Sequence, residues 1–135
     1  MQNRYIIFAD DDADDLELIT GYFREFNQQV HVLEFMDGGE VLKFLEQHSP
    51  DQGLPLLMVL DINMPRYNGK ETLLAIRNHP RFKNIPVVIY STSNNPADET
   101  FCHINGASWV TKSSNMEGTR QTAKVLAEFC SLQIH

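Results

Sequence analysis

The apolar run at residues 56–60, Leu-Leu-Met-Val-Leu, constrains the fold of this chain more than any other segment. It shows no polar alternation, which is typical of a strand covered by helices on both faces. Asp61 ends the run, and Pro65 and Asn68-Gly69 then indicate a turn before a helix near Lys70. Because open α/β sheets bind ligands at the carboxyl ends of their strands, Asp61 is a candidate functional residue. Asp is also a common turn residue, so Asp61 taken alone could equally cap the loop.

Four other segments have the same short apolar character and alternate with helical patterns. The predicted strands are residues 5–9, 30–35, 56–60, 86–91 and 109–111. Most of them are continuously hydrophobic, which favours a parallel sheet between two layers of helices. The chain has 135 residues, enough to bury a core without disulfide or metal support. The sequence therefore predicts one α/β domain of five βα units.

Capping signals mark the predicted helix starts. Asp12 is placed to cap the first helix, and Asn95-Pro96 offers a cap followed by proline at the first helical position. Asp37 with Glu40, and Ser114 with Glu117, match the capping-box spacing. These signals predict that the first, second, fourth and fifth helices begin directly after Asp12, Asp37, Asn95 and Ser114.

The charge of the chain argues against nucleic acid as a partner. Its formal net charge is −7, and its 11 basic residues are scattered, whereas phosphate neutralisation needs clustered Lys and Arg. Without a basic amphipathic stripe or a long apolar stretch, we expect no membrane contact, no signal peptide and a cytoplasmic protein. Cys102 and Cys130 are accordingly expected to be reduced.

Three consecutive carboxylates, Asp10-Asp11-Asp12, follow the first predicted strand. A dinucleotide-binding loop would carry glycines here to receive an anion, whereas carboxylates attract a hard divalent cation such as Mg²⁺. An EF-hand loop starting at Asp10 is excluded, since its sixth position is Asp15 rather than Gly and its twelfth is Gly21 rather than Glu. A solvated helix start, favoured by the helix dipole, accounts better for the acidic residues after Asp12 than for those before it.

The order of the polar residues along the chain resembles the response regulator receiver domain. Asp10 and Asp11 follow the first strand, Asp61 the third, Ser91 the fourth and Lys112 the fifth. The loops at residues 10–15 and 61–69 resemble those of stand-alone receivers, and the resemblance spans essentially the whole chain. It implies a doubly wound, flavodoxin-like (βα)5 sandwich of three layers with sheet order 2-1-3-4-5. It also implies a single receiver domain over residues 1–135 with no output domain.

The resemblance further implies a magnesium site. Asp11 and Asp61 would ligate Mg²⁺ directly, Asp10 would act mainly through a bound water, and the backbone carbonyl of Asn63 would complete the protein ligands. Carboxylates that converge in this way raise one another's pKa values, and a divalent cation relieves their repulsion.

By the same resemblance, Asp61 accepts a phosphoryl group from a phosphohistidine or a small acyl phosphate, while Lys112 and Ser91 stabilise its charge. Hydrolysis of the acyl phosphate resets the site. The expected activity is thus Mg²⁺-dependent self-phosphorylation and self-dephosphorylation, and not that of an enzyme on other substrates. Ser91 and Trp109 are the expected switch, although Trp109 fits an immobile, half-buried strand residue equally well.

The implied phosphoryl donor is a sensor histidine kinase or a histidine phosphotransfer protein. A downstream protein would read the face made by residues 95–105, Trp109 and the last helix, where Phe129 and Ile134 also permit a homodimer. The chain departs from the family at Ser113, which follows Lys112 where receivers usually carry Pro, often after a cis bond. A cis bond before Ser113 would cost about 3–4 kcal/mol, so the geometry of this bond stays open.

Two other functions fit parts of the pattern. A degenerate receiver that acts only as a protein-binding module would share the fold, but the complete set of Asp10, Asp11, Asp61, Ser91 and Lys112 argues against it. A phosphatase with an aspartyl nucleophile would need a second acid two residues after Asp61, and position 63 is Asn.

Overall fold

Five strands alternate with five helices along the chain, whose residues 4–48 and 50–134 are described by a computed structural model. The elements are β1 (Tyr5–Ala9), α1 (Ala13–Phe26), β2 (His31–Phe35), α2 (Gly38–Gln47), β3 (Leu57–Leu60), α3 (Gly69–Arg77), β4 (Val87–Ser91), α4 (Pro96–Ile104), β5 (Ser108–Thr111) and α5 (Met116–Leu132). One turn of 3-10 helix, Pro50–Gln52, precedes β3. The predicted strands are therefore all present, with starts that differ from the prediction by one residue in β2, β3, β4 and β5.

All neighbouring strands pair in parallel, in the order β2-β1-β3-β4-β5. The predicted doubly wound, flavodoxin-like sandwich is confirmed. Ala9 of β1 lies opposite Leu60 of β3, and the amide of Asp61 donates to the carbonyl of Ala9 at 2.9 Å. This register brings the residues that follow the two central strands to the same edge of the sheet.

Two apolar layers explain why the central strands read as unbroken hydrophobic runs. Alternate residues such as Ile7, Met58 and Leu60 face the layer formed with α2, α3 and α4. Their neighbours, among them Phe8 and Val59, face the layer formed with α1 and α5. Both faces of the sheet are thus covered, so no strand position in the centre is free for a polar side chain. The free cysteines, Cys102 and Cys130, are buried in opposite layers.

Side-chain caps start the helices where the sequence predicts, with one exception. Asp12, Asp37 and Asn95 each accept backbone hydrogen bonds from the first turn of the helix that follows. The prediction that Ser114 caps α5 is wrong, because Asn115 is the cap and accepts from the amide of Gly118 at 2.8 Å. The error arose because Glu117 suggested a capping box one residue too early, while the side chain of Asn115 needs no Glu to reach its amide.

Arg77, at the end of α3, joins the loops that lead into β4 and β5. Its guanidinium donates to the carbonyls of Lys83 at 3.1 Å and Ile85 at 2.8 Å, before β4. It also donates to the carbonyls of Asn105 at 2.7 Å and Gly106 at 3.2 Å, after α4. One side chain therefore satisfies four backbone acceptors at the edge of the sheet opposite Asp61.

Within the described residues, every helix is too short or too polar to cross a membrane.

The start of α3 packs directly against the end of β3. The amide of Gly69 donates to the carbonyl of Ile62 at 3.0 Å. A Cβ added to Gly69 would lie 2.3 Å from the carbonyl oxygen of Asp61 and 2.8 Å from the Cα of Ile62. Only glycine allows this approach, so Gly69 determines how closely α3 follows Asp61.

We expect Gly69→Ala to lower the free energy of unfolding by about 1–3 kcal/mol, since the new methyl group meets backbone that must shift. Gly21→Ala is the matched control, because Gly21 lies inside α1 with no atom within 4 Å of the added Cβ. That control should raise stability by about 0.5–1 kcal/mol. Urea denaturation followed by circular dichroism measures both, and equal effects of the two changes would contradict the close packing at Gly69.

Candidate functional site

Three carboxylates converge at the carboxyl edge of the sheet. Asp10 and Asp11 directly follow β1, and Asp61 directly follows β3. Among the described residues, these three offer carboxylate oxygens that lie within 4.8 Å of one another, a separation that a single cation can bridge. Asp10 and Asp61 are buried, whereas Asp11 is exposed. The structure therefore brings together the three carboxylates that the sequence predicts to converge.

The ammonium of Lys112 lies among carboxylates at this edge. Its Nζ is 2.7 Å from Oδ2 of Asp10, 2.9 Å from Oδ2 of Asp61 and 2.9 Å from Oδ2 of Asp15. The Lys112 side chain is only 7% exposed. Its amide donates to the carbonyl of Ser91 at 2.9 Å, which fixes the start of the loop after β5. A buried positive charge thus holds the ends of β1, β3 and β5 to one point.

Backbone amides orient the two buried carboxylates. The amide of Asp12 donates to Oδ1 of Asp10 at 2.9 Å, and the amide of Asn63 donates to Oδ1 of Asp61 at 3.2 Å. Each buried carboxylate therefore has one oxygen on a backbone amide and the other on Lys112. Asn63 itself is exposed in the loop after β3.

Burial and charge shift the pKa values in this cluster. Loss of solvent raises the pKa of Asp10 to about 6, and the negative charge of Asp61 adds to the rise, against hydrogen bonds from Lys112 and Asp12. Burial by itself would lower the pKa of Lys112, but hydrogen bonds to Asp10, Asp15 and Asp61 outweigh it, so the pKa is raised. Lys112 therefore stays charged at neutral pH, while Asp10 binds a proton more readily than an ordinary carboxyl.

Oxygen ligands of this kind suit a hard divalent cation. Asp10, Asp11 and Asp61 present carboxylate oxygens, and Mg²⁺ is usually bound through a small number of carboxylates together with water. The donor chemistry and the mutual distances of the three side chains therefore fit one such ion.

Ser91 ends β4 and is fully buried. Its hydroxyl accepts from the amide of Ser93 at 3.2 Å, and the hydroxyl of Ser93 donates to Asp98 at 3.4 Å. Asp98 also forms an ion pair with Lys70 of α3 at 2.8 Å. A short series of polar contacts thus links the end of β4 to α4 and α3.

Trp109 lies on β5, opposite Ile89 of β4, and is half-buried. It packs against the apolar layer that contains α2, α3 and α4. Its place in the strand is compatible with both interpretations that the sequence leaves open, a moving switch and a static packing residue.

The loop from β3 to α3 is held against α2. The amide of Gly38 donates to the carbonyl of Tyr67 at 3.0 Å, and Arg66 forms an ion pair with Asp37. Arg66 has a φ of 62°, in the left-handed region that costs energy for a residue with a Cβ. The described residues contain no cis peptide bond, so the Lys112–Ser113 bond is trans.

Sequence reasoning missed two features of this edge. It assigned Asp15 to the helix dipole of α1, whereas Asp15 pairs with Lys112. The signal available in the sequence was the closeness of Asp15, in the first turn of α1, to Asp10, which also pairs with Lys112. It also missed the pair of Lys70 and Asp98, which are 28 residues apart and show no local pattern.

Comparisons with known proteins agree with this geometry. Residues 6–124 match the family model of the response regulator receiver domain. The chain is 29% identical to response regulator Rcp1 of Synechocystis sp., over 84% of this chain and 80% of that protein. The structure of the phosphorylated cyanobacterial phytochrome response regulator RcpA superposes with a TM-score of 0.87 and 30% identity, over 97% of this chain and 96% of that chain. The Mn²⁺-bound form of Rcp1 superposes with a TM-score of 0.83 and 26% identity, over 93% and 92%.

In EDTA, the free energy of unfolding should rise as the pH falls from about 7 to about 5. The folded state binds a proton at Asp10 with a pKa of about 6, whereas the unfolded chain binds it only near the ordinary value of 3.8. Asp10→Asn removes this proton site and should remove that part of the rise. Asp14→Asn, which takes the same charge from the exposed first turn of α1, is the control. Urea denaturation across the pH range tests this, and identical slopes for wild type and Asp10→Asn would contradict it.

Proposed function

This chain belongs to the response regulator receiver family, and on that basis we propose that residues 1–135 form a single receiver domain that carries a phosphoryl group on Asp61. The observation that carries the proposal is the convergence of Asp10, Asp11 and Asp61, of which Asp10 and Asp61 pair with the buried ammonium of Lys112. The resulting signal passes to a partner by protein contact. The chain therefore acts in phosphorelay signalling and not as an enzyme on other substrates.

Mg²⁺ is the proposed cofactor. Asp10, Asp11, Asp61 and the backbone carbonyl of Asn63 would hold it, and the charge of the ion would offset both the repulsion of the carboxylates and the charge of the phosphoryl oxygens. Two observations support this choice: the three carboxylates fit one cation, and the related Rcp1 has been crystallised in an Mn²⁺-bound form.

The proposed reaction is transfer of a phosphoryl group from a phosphohistidine to the carboxylate of Asp61. One Asp61 oxygen attacks phosphorus, the P–N bond to the imidazole breaks, and its electron pair stays on the departing nitrogen. Lys112 lies 2.9 Å from Asp61 Oδ2, so its positive charge is already where the transferred oxygens collect. The hydroxyl of Ser91 would donate to the same group. Water later attacks phosphorus, and the carboxylate of Asp61 leaves with the bonding pair.

The proposed donor is a sensor histidine kinase or a histidine phosphotransfer protein, and the proposed reader is a downstream protein. Ser91 and Trp109 form the proposed switch, and the contacts from Ser91 through Ser93 to Asp98 support it, since they link the site to α4. A homodimer through α5 is also proposed, because Phe129 is exposed together with Val125 and Leu132 at spacings that share one face of this helix. Ile134, the other residue that the sequence offers for a dimer, is half-buried against the layer formed with α1 and α5.

Phosphorylation of Asp61 can be tested directly. With acetyl phosphate and Mg²⁺, the intact protein should gain the mass of one phosphoryl group, and the gain should be absent in EDTA and in Asp61→Asn. Asp14→Asn, which changes an exposed carboxylate of α1, should keep the gain. Mass spectrometry of the intact chain measures it. If wild type shows no gain while remaining folded, the degenerate receiver that only binds proteins becomes the better interpretation.

The switch can be tested with beryllofluoride, which forms a stable analogue of the phosphoryl group on a carboxylate. Trp109 is the single tryptophan of the chain, so its fluorescence reports on β5 alone. We expect the emission to change when Mg²⁺ and beryllofluoride are both present, and the change to be smaller in Ser91→Ala. Light scattering on the same samples reports the dimer. An unchanged emission in wild type would show that Trp109 is a static packing residue.

A further inference from the structure

Among the described residues, Asp15 is the one carboxylate partner of Lys112 that lies outside the proposed cation site. Its Oδ2 is 2.9 Å from Nζ of Lys112, comparable to the distances from Asp10 and Asp61. Within the described part of the chain, the carboxylates close enough to share one cation are those of Asp10, Asp11 and Asp61, and Asp15 is not among them. Asp15 thus interacts with the ammonium without being placed to bind the ion.

A cation and Lys112 would both draw on the carboxylates of Asp10 and Asp61. Lys112 contacts Oδ2 of both Asp10 and Asp61, while Oδ1 of each accepts from a backbone amide. An ion bound by these carboxylates would weaken their pairing with Lys112 and place a second positive charge beside it. Lys112 then needs another partner if it is to remain at the site.

The structure holds Asp15 where it can serve as that partner. The side chain of Asp12 accepts from the amide of Asp15 at 3.1 Å, which fixes the first turn of α1. The Asp15 side chain is 41% exposed, so its negative charge keeps part of its hydration. A cavity of about 210 Å³ lies beside Lys112, between Asp15, Tyr90 and the start of α5. The ammonium therefore has room to withdraw from Asp10 and Asp61 while it stays paired with Asp15.

We propose that Asp15 is a positioning residue that retains Lys112 beside Asp61 when a divalent cation binds to Asp10 and Asp61. With Asp15 present, Lys112 can release the Oδ2 oxygens and keep one ion pair. Without it, every carboxylate that pairs with Lys112 in the described residues is also needed by the ion, so the two cations compete more strongly. This inference rests on the proposed function, since it presumes that the site binds Mg²⁺.

Calorimetric titration of the full chain with Mg²⁺ tests the proposal. Asp15→Asn should raise the dissociation constant on the order of tenfold, within the usual range of coupling between two binding events. Asp14→Asn is the matched control, because Asp14 lies in the same turn and loses the same charge but is not a partner of Lys112. It should raise the constant about twofold or less, as expected for an exposed charge.

A double-mutant cycle separates an effect through Lys112 from a direct effect on the ion. In the background of Lys112→Met, Asp15→Asn should weaken Mg²⁺ binding no more than Asp14→Asn does. Circular dichroism establishes that each variant is folded. If Lys112→Met fails to fold, equal affinities of Asp15→Asn and Asp14→Asn in the wild-type background would still overturn the proposal.

The outcomes distinguish this inference from the proposed function. If wild type does not bind Mg²⁺, the proposed function itself fails. If wild type binds and Asp15→Asn matches or exceeds the affinity of Asp14→Asn, the role of Asp15 is overturned while the proposed function stands. A tenfold loss that persists in the Lys112→Met background would overturn it as well, since Asp15 would then act on the ion directly.

Discussion

The ion pairs of Lys112 with Asp10 and Asp61 are the interaction on which the arrangement of this molecule depends. Carboxylates gathered at a buried edge repel one another and lose solvation, and a single ammonium counters both effects. The partners come from the ends of three different strands, β1, β3 and β5, which the observed order β2-β1-β3-β4-β5 brings to the same edge of the sheet. The order of the strands therefore determines which charged residues meet at the site.

Much of this arrangement follows from the sequence, for a physical reason. Strands covered on both faces must be apolar throughout, so residues 57–60 show both the strand and its burial, and Asp61 shows where the strand ends. Local chemistry also marks the helix starts, since the cap and the amide that it accepts from are three residues apart or fewer. The cap of α5 is predicted one residue too early, at Ser114, because Ser114 and Asn115 are both polar side chains that satisfy this local rule.

Contacts between distant elements were not predictable in the same way. Asp15 reaches Lys112 across 97 residues of sequence, and its identity as an acidic residue at a helix start already had a sufficient local explanation. The pair of Lys70 and Asp98 depends on how α3 and α4 pack, which no periodicity encodes. The left-handed backbone conformation of Arg66 was not predictable either, because the sequence signals for that conformation are Gly and Asn.

The two ends of α4 are held by different contacts, and the guanidinium of Arg77 holds only the second. Four hydrogen bonds fasten the chain just after Ile104 to the loop before β4, while the first turn of α4 is held by the side chains of Lys70 and Ser93 on Asp98. One carboxylate held by an ammonium and a hydroxyl is released more readily than a guanidinium that donates to four carbonyls, because fewer contacts must break. We therefore expect the first turn of α4 to separate from its neighbours more readily than the end of the helix separates from Arg77.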